Sequence, residues 1–203
     1  MTRGDEMIQI TAALFVLFAG SPFAFAGPLH EAAREGDLQK ARALIDEGAA
    51  IDAQSDRGET PLILAILAGQ GEVVELLIEQ GAAIEGRNTG GFTPLHAAAY
   101  AGDAAIAELL IAKGADINDA QNKAGVTPLF VAAEEDHRVM AELLIALGAE
   151  IDAKERHGYT MLTRATFKEN DDIIALLKSH GAECQPPEIM GESSHRKCIG
   201  AGN

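Results

Sequence analysis

The sequence predicts an all-α solenoid of about five helix-turn-helix units joined by β-hairpin loops. One series of matching positions, Thr-Pro-Leu at 60–62, 93–95 and 127–129 with Thr-Met-Leu at 160–162, recurs at spacings of 33, 34 and 33 residues. A second series, Gly-Ala at 48, 81, 114, 148 and 181, recurs at 33, 33, 34 and 33 residues. The extra residue falls in the same unit in both series. Two coincident registers indicate stacked repeats, each burying its apolar face against its neighbours.

The composition agrees with an array that is packed by small aliphatic side chains. The 203 residues are 47 % hydrophobic and 4 % aromatic, with no Trp and two Cys. This apolar fraction excludes wholesale disorder, and two Cys cannot form a disulfide-dense miniprotein. The 16 basic and 31 acidic residues give a net charge of -15. Because no excess of cations exists to replace phosphate counterions, nucleic acid is not expected as a partner.

The first element, residues 1–26, has the pattern of a secretory signal peptide. Residues 8–18 are almost entirely apolar, and Ala24 and Ala26 place small side chains where a signal peptidase reads them. The apolar run is shorter than a membrane-spanning helix requires. We therefore expect cleavage between Ala26 and Gly27, a periplasmic or secreted protein, and no membrane span in the mature chain.

Residues 27–183 form the predicted repeat array, in which each unit contains two helices. Thr caps the first helix and Pro starts it, while alanines along the helix allow close packing. The second helix carries a Leu-Leu-Ile stripe and ends at a Gly that adopts the left-handed conformation. The loop that follows extends outward and returns through a turn. The five units are 27–57, 58–90, 91–124, 125–157 and 158–183.

The third unit carries the full pattern G-x-T-P-L-H-x-A-A at Gly91–Ala99 and resembles the ankyrin repeat. The resemblance covers about residues 27–184 and weakens at both ends. Gly27 stands where the other units have Thr, and Met161–Thr163 stands in place of Pro-Leu-His. Such departures are typical of terminal units. The resemblance implies a non-catalytic module that binds another protein through its hairpin tips and first helices.

The resemblance implies that a partner protein contacts two rows of residues. The pre-cap row precedes the capping Thr and consists of Glu59, Phe92, Val126 and Tyr159. The late-helix row lies toward the end of each first helix and consists of Arg34, Leu67, Tyr100, Glu134 and Phe167. The apolar and aromatic members are the candidate partner-binding residues: Leu67, Phe92, Tyr100, Val126, Tyr159 and Phe167. Their side chains fit the role of anchors, or alternatively cover the ends of the alanine-rich helices.

The partner is expected to be a protein with a basic surface, bound by a monomer of this chain. Acidic residues flank the two rows at Glu59, Glu134, Glu135 and Asp136, and the chain carries a net charge of -15. Opposite charge accelerates encounter with a basic partner. The same charge is equally consistent with a role in solubility alone.

The tail, residues 184–203, contains the two cysteines of the chain. In an oxidising compartment Cys184 and Cys198 are expected to form a disulfide that fixes the tail against the fifth unit as an end cap. An alternative uses His180, Cys184, His195 and Cys198 as two nitrogen and two sulfur ligands for zinc or copper. That alternative describes a metal-binding or redox-linked periplasmic factor.

No catalytic site and no cofactor are expected from the sequence. The chain lacks the nucleophile elbow G-x-S-x-G, the metal-binding helix H-E-x-x-H, the phosphate loop G-x-x-x-x-G-K-[ST] and the dinucleotide pattern G-x-G-x-x-G. His30 and His96 occupy the histidine position of Pro-Leu-His, where the resemblance implies hydrogen bonds between units. We therefore predict that the protein is not an enzyme.

Overall fold

The computed structural model describes residues 27–200, so the predicted leader lies outside the described residues. Within that range the chain forms twelve helices and no strand, and a single isolated bridge joins Lys154 to Thr160. The prediction of an all-α solenoid is confirmed. No helix in this part of the chain has both the length and the apolar character that a membrane span requires.

The helices form two stacked layers followed by a small terminal pair. The first helices of the units are α1 Pro28–Glu35, α3 Pro61–Leu67, α5 Pro94–Ala101, α7 Pro128–Glu134 and α9 Met161–Lys168. The second helices are α2 Leu38–Asp46, α4 Gly71–Glu79, α6 Ala104–Ala112, α8 Arg138–Ala146 and α10 Asp171–Ser179. The tail forms α11 Pro187–Met190 and α12 Glu192–Cys198. Each first helix packs on the next one along the chain, and α12 packs on α9 after the last of them.

Threonine caps explain where the first helices begin. The hydroxyls of Thr60, Thr127 and Thr160 each accept a hydrogen bond from the backbone N–H three residues later, at 3.2–3.4 Å. These bonds satisfy N–H groups that have no partner within the helix. Pro follows Thr60 and Thr127, where the absent N–H of proline costs nothing. Helix α1 differs, because Gly27 provides no side-chain cap.

Alanine is the main packing residue between the first helices. Ala32, Ala65, Ala98 and Ala132 are fully buried at matching positions of four successive first helices. Leu77, Leu110, Leu144 and Leu177 are fully buried at matching positions of the second helices. The first helices pack through alanines and the second helices through leucines, so neighbouring first helices can approach each other more closely than neighbouring second helices. Contacts between first helices are accordingly more extensive than those between second helices.

Hydrogen bonds at a spacing of one repeat connect neighbouring units on the loop side. Thr89 N–H donates to the Arg57 carbonyl at 3.0 Å, and Arg156 N–H donates to the Ala124 carbonyl at 2.9 Å. Asp52, Glu85 and Asn118 occupy matching positions that are 33 residues apart. Each side chain accepts a hydrogen bond, at 2.8–2.9 Å, from a backbone N–H of the following unit: Asp52 from Ala83, Glu85 from Asp116 and Asn118 from Glu150. Register between units is therefore fixed by polar contacts as well as by apolar packing.

A buried ion pair connects the loops of successive units. The guanidinium of Arg87 donates two hydrogen bonds to the carboxylate of Asp119, at 2.9 and 2.5 Å. The side chain of Asp119 is only 1 % exposed. Burial is the largest single effect and raises the pKa of Asp119, but the opposing effects together, of which the hydrogen bond from Arg87 is the largest, hold the pKa below the ordinary 3.8. The carboxylate is therefore charged in the folded protein at neutral pH.

The tail packs on the fifth unit through one disulfide and one buried glutamine. The disulfide joins Cys184 to Cys198 across 14 residues. Gln185 is buried, and its Oε1 accepts from Thr160 N–H at 2.9 Å and from the Thr163 hydroxyl at 2.7 Å, while its Nε2 donates to the Gly158 carbonyl at 2.8 Å. The tail thus supplies the hydrogen-bond partners that a following unit would otherwise supply.

Candidate functional site

Three of the six candidate residues lie at one position of three first helices. Leu67, Tyr100 and Phe167 occupy the late-helix row near the ends of α3, α5 and α9, and each side chain is half-buried. All three pack at the edge of the apolar core rather than inside it. They therefore present part of their apolar surface at the same end of successive helices.

Phe92 of the pre-cap row is buried, which does not fit its expected role as a partner-binding anchor. Its side chain is only 5 % exposed. The ring meets the edge of His96 with centroids 5.4 Å apart and covers Gly90, where an added Cβ would lie 2.8 Å from a ring carbon. Because Gly90 has no side chain, the ring folds back over its own hairpin.

Val126 is also buried, which likewise does not fit its expected role as a partner-binding anchor. Its N–H donates to Asn122 Oδ1 at 3.1 Å, and its carbonyl accepts from Asn122 Nδ2 at 2.6 Å. A third hydrogen bond, from His96 Nε2 at 3.0 Å, reaches the same carbonyl. These bonds hold the backbone of Val126 against the preceding unit, and the small branched side chain enters the core. Val126 is a packing residue.

Tyr159 is the pre-cap residue whose ring reaches the late-helix row. Its ring meets Phe167 edge-to-face, with centroids 5.5 Å apart and planes at 80°. His157 lies two residues before Tyr159, as Gly90 lies two residues before Phe92, and the ring of Tyr159 packs on Phe167 instead of over its hairpin. Tyr159 and Phe167 are both half-buried and form one aromatic pair on the fifth unit.

The acidic residues beside the late-helix row differ in how their charge is balanced. Glu134 is nearly buried, and its carboxylate contacts Arg164 at 3.0 Å and Lys168 at 2.5 Å. Asp136 accepts a hydrogen bond from Asn170 at 2.8 Å and remains exposed. The charge of Glu134 is therefore used to join the fourth and fifth units and is not available to a partner.

Glu135 carries the acidic charge nearest to the half-buried Tyr100. Burial raises the pKa of Glu135, and the neighbouring Glu134 charge raises it further while Lys168 opposes the rise. Burial also raises the pKa of Tyr100, and the charge of Glu135 adds to that increase. The two groups form a partly desolvated anionic position at the end of α5 and α7.

Basic side chains at the hairpin tips were not identified from the sequence. Arg57, Lys123 and Arg156 lie at the hairpin tips that end the first, third and fourth units. Lys123 and Arg156 are exposed, and none of the three side chains forms an ion pair within residues 27–200. The signal that could have found them is the recurrence of a basic residue in the turn at approximately the repeat spacing.

The two histidines of the Pro-Leu-His position make the expected hydrogen bonds. His96 Nε2 donates to the Val126 carbonyl of the next unit at 3.0 Å, and Thr93 bonds its Nδ1. Burial lowers the pKa of His96, so the ring is neutral. His30 Nε2 lies 2.9 Å from the Ala53 carbonyl and 3.2 Å from that of Glu59. Neither ring has the arrangement of a catalytic base.

The alternative metal site in the tail is not assembled. Cys184 and Cys198 are bonded to each other, so neither offers a thiolate. His180 Nδ1 lies 3.0 Å from the Leu176 carbonyl, and His195 Nδ1 lies 2.9 Å from the Gln185 carbonyl. No group of three His, Cys, Asp or Glu side chains in the described part of the chain is arranged to hold a metal ion. The tail residues have structural roles instead.

Comparison with known proteins supports the repeat architecture. A family model described as ankyrin repeats (3 copies) matches residues 29–121 and 118–187, which together span most of the 203 residues. No curated protein matches the chain.

Proposed function

Because the chain belongs to the ankyrin-repeat family, we propose that it binds a partner protein through the late-helix row and the adjoining Tyr159, without catalysing a reaction. Ankyrin repeats generally mediate protein–protein interaction and are generally not catalytic. The proposed contact residues are Leu67, Tyr100, Tyr159 and Phe167. Phe92 and Val126 are not among them because both are buried.

The observation that carries the proposal is the half-buried aromatic pair of Tyr159 and Phe167, in line with Tyr100. Two other aromatic side chains of the array, Phe92 and Phe130, are 5 % and 4 % exposed. The array therefore buries rings where packing requires them and leaves these three partly uncovered. Partly exposed aromatic side chains with a polar edge are the residue type that most often anchors a protein interface.

The charge distribution supports a contact centred at the helix ends rather than at the hairpin tips. Glu135 and Asp136 leave negative charge beside Tyr100, while Lys168 is bound by Glu134. Lys123 and Arg156 are exposed basic side chains at the tips of a chain with a net charge of -15. A partner with a basic surface is attracted to the acidic side chains at the helix ends.

The proposed location is the cell envelope. The support for it is the sequence of residues 1–26, which has an apolar run followed by small residues at the cleavage positions. The disulfide between Cys184 and Cys198 is compatible with an oxidising compartment. The two observations are independent of each other.

Photocrosslinking in the native compartment tests the binding surface. A photoreactive amino acid at Tyr100 should capture a defined protein, whereas the same amino acid at Val139 should not. Val139 is a matched control because it is apolar, 71 % exposed and on the second-helix layer. Capture of the same protein in equal yield from both positions would contradict the proposed surface.

Binding of the captured protein to purified variants then tests the residues. Phe167→Ala and Tyr100→Ala should each weaken binding by about tenfold, and Val139→Ala should change it by less than about twofold. Each variant must keep its unfolding midpoint, so that loss of binding is not loss of fold. Wild-type affinity of both aromatic variants would refute the proposal.

Charge reversal separates the helix ends from the tips. Glu135→Lys should slow association with a basic partner, and Lys123→Glu should leave it unchanged or accelerate it. Both effects should shrink when ionic strength is raised. Faster association of the Glu135→Lys variant would show that the partner is acidic at this surface.

A further inference from the structure

The first helix begins with a buried histidine nitrogen that has no hydrogen-bond donor. His30 is only 2 % exposed, and its Nε2 lies 2.9 Å from the Ala53 carbonyl and 3.2 Å from the Glu59 carbonyl. Since carbonyl oxygens only accept, Nε2 carries the ring proton and Nδ1 carries a lone pair. That Nδ1 has no partner within the described residues. A buried acceptor without a donor is costly.

The third unit shows what the missing donor would be. There His96 Nδ1 lies 2.9 Å from the hydroxyl of Thr93 and 3.3 Å from its N–H, while Nε2 faces a carbonyl as in His30. Gly27 occupies the position of Thr93 and has no hydroxyl. A Cβ placed on Gly27 would be in van der Waals contact with His30 Nδ1 at 3.7 Å, so the nitrogen faces this residue.

We propose that the α-amino group of Gly27, released when the Ala26–Gly27 peptide bond is cleaved, donates the missing hydrogen bond to His30 Nδ1. Cleavage by a leader peptidase adds water across the bond. The carbonyl carbon of Ala26 gains the hydroxyl oxygen and leaves as a carboxylate, and the nitrogen of Gly27 gains a proton and becomes an amine. The proposal rests on the leader cleavage expected from the sequence and is independent of partner binding.

An amine can make this bond more readily than the amide it replaces. The amide of Gly27 has one hydrogen, and peptide planarity fixes its direction. An amine rotates about the N–Cα bond and carries at least two hydrogens, so one can point at His30 Nδ1. Cleavage one residue earlier would leave an amide at Gly27, and cleavage one residue later would remove the N-cap residue altogether. The structure therefore assigns a role to cleavage at this one bond.

The first part of the test is the mass of the exported protein. Full-length protein is expressed with its own leader, and the mature chain should have the intact mass of residues 27–203 with one disulfide. A mature chain that begins at another residue would overturn the proposal.

The second part compares chains that differ only at the amino group. Residues 27–203, released from a fusion with a free amine, are compared with the same chain acetylated on Gly27. Acetylation should lower the melting temperature by about 2–4 °C, as expected for loss of one hydrogen bond in a domain of this size. The ¹⁵N resonance of His30 Nδ1 should also move, because it reports whether that nitrogen accepts a hydrogen bond.

Gly27→Thr provides the matched control. Gly27 has φ -65° and ψ 170°, which threonine adopts without strain, and the new hydroxyl should reach His30 Nδ1 as Thr93 reaches His96. Acetylation of this variant should then shift the melting temperature by less than about 1 °C. Equal shifts in the wild-type and Gly27→Thr chains, or an unchanged Nδ1 resonance on acetylation, would refute the proposed bond.

Discussion

Replacement of Gln185 by methionine removes three hydrogen bonds at the end of the array while it keeps the side-chain volume. The groups that lose this partner are the Thr160 N–H, the Thr163 hydroxyl and the Gly158 carbonyl, which Gln185 bonds at 2.9, 2.7 and 2.8 Å. The Thr163 hydroxyl keeps its contact with the Thr160 hydroxyl at 3.2 Å. Thr160 and Thr163 are 3 % and 0 % exposed, so water cannot replace the lost partners without rearrangement. At about 1 kcal/mol for each bond, the free energy of unfolding should fall by roughly 3 kcal/mol.

Urea unfolding followed by far-ultraviolet circular dichroism, with the disulfide intact, measures this loss. Gln185→Glu, measured at about pH 5, is the matched control, because burial favours its protonated carboxyl group, which still accepts from Thr160 and Thr163 and can donate to the Gly158 carbonyl. We expect the glutamate variant to lose about 1–2 kcal/mol. The reasoning is refuted if the methionine variant unfolds within about 0.5 kcal/mol of wild type, or if the two variants are equally destabilised.

Three further predictions concern the array itself. Glu134→Ala should lower the free energy of unfolding by about 3–5 kcal/mol in urea denaturation, because it leaves Arg164 buried and uncompensated; wild-type stability would contradict this. Asp119 has a folded-state pKa below its ordinary 3.8, so its contribution to stability is present above that pH and is lost as the pH falls further. Wild type should therefore lose stability more steeply below pH 3.8 than Asp119→Asn, and parallel curves would exclude this role. Gly90→Ala should cost about 1–3 kcal/mol because its Cβ would lie 2.8 Å from a ring, whereas Gly71→Ala, which meets nothing within 4 Å, should cost nothing. Equal thermal stability of the two glycine variants would contradict the packing argument.

The repeat architecture could be predicted because its signals are local and repeated. Thr60 and Thr127 predict helix starts, because an N-cap is recognised from local sequence alone. The two repeated series, Thr-Pro-Leu and Gly-Ala, predict the length of a unit. The inter-unit role of His96 also follows from its position in the motif. Each of these predictions depends on a contact that more than one unit makes: the Thr cap in three units and the histidine bond at both His30 and His96.

The candidate site was predicted less well because exposure depends on neighbours that differ between units. Phe92 and Tyr159 share one position, yet the first ring is buried over Gly90 and the second packs on Phe167 beside a hairpin that carries His157. Position in the repeat alone therefore does not predict which of the two rings is buried. The bonds of Gln185 were not predicted either, since they depend on how the tail folds back onto α9.

The contacts at Thr163 determine how such a chain can grow by duplication. A second copy of the third unit, inserted beside the first, would carry its own histidine at the position of His96. That histidine could accept from the capping Thr and donate to the next unit as His96 does. A copy added after residue 183 would displace Gln185 and remove the partners that it gives to Thr160 and Thr163. Insertion of a unit inside the array therefore keeps the contacts of the tail, whereas addition after residue 183 removes them.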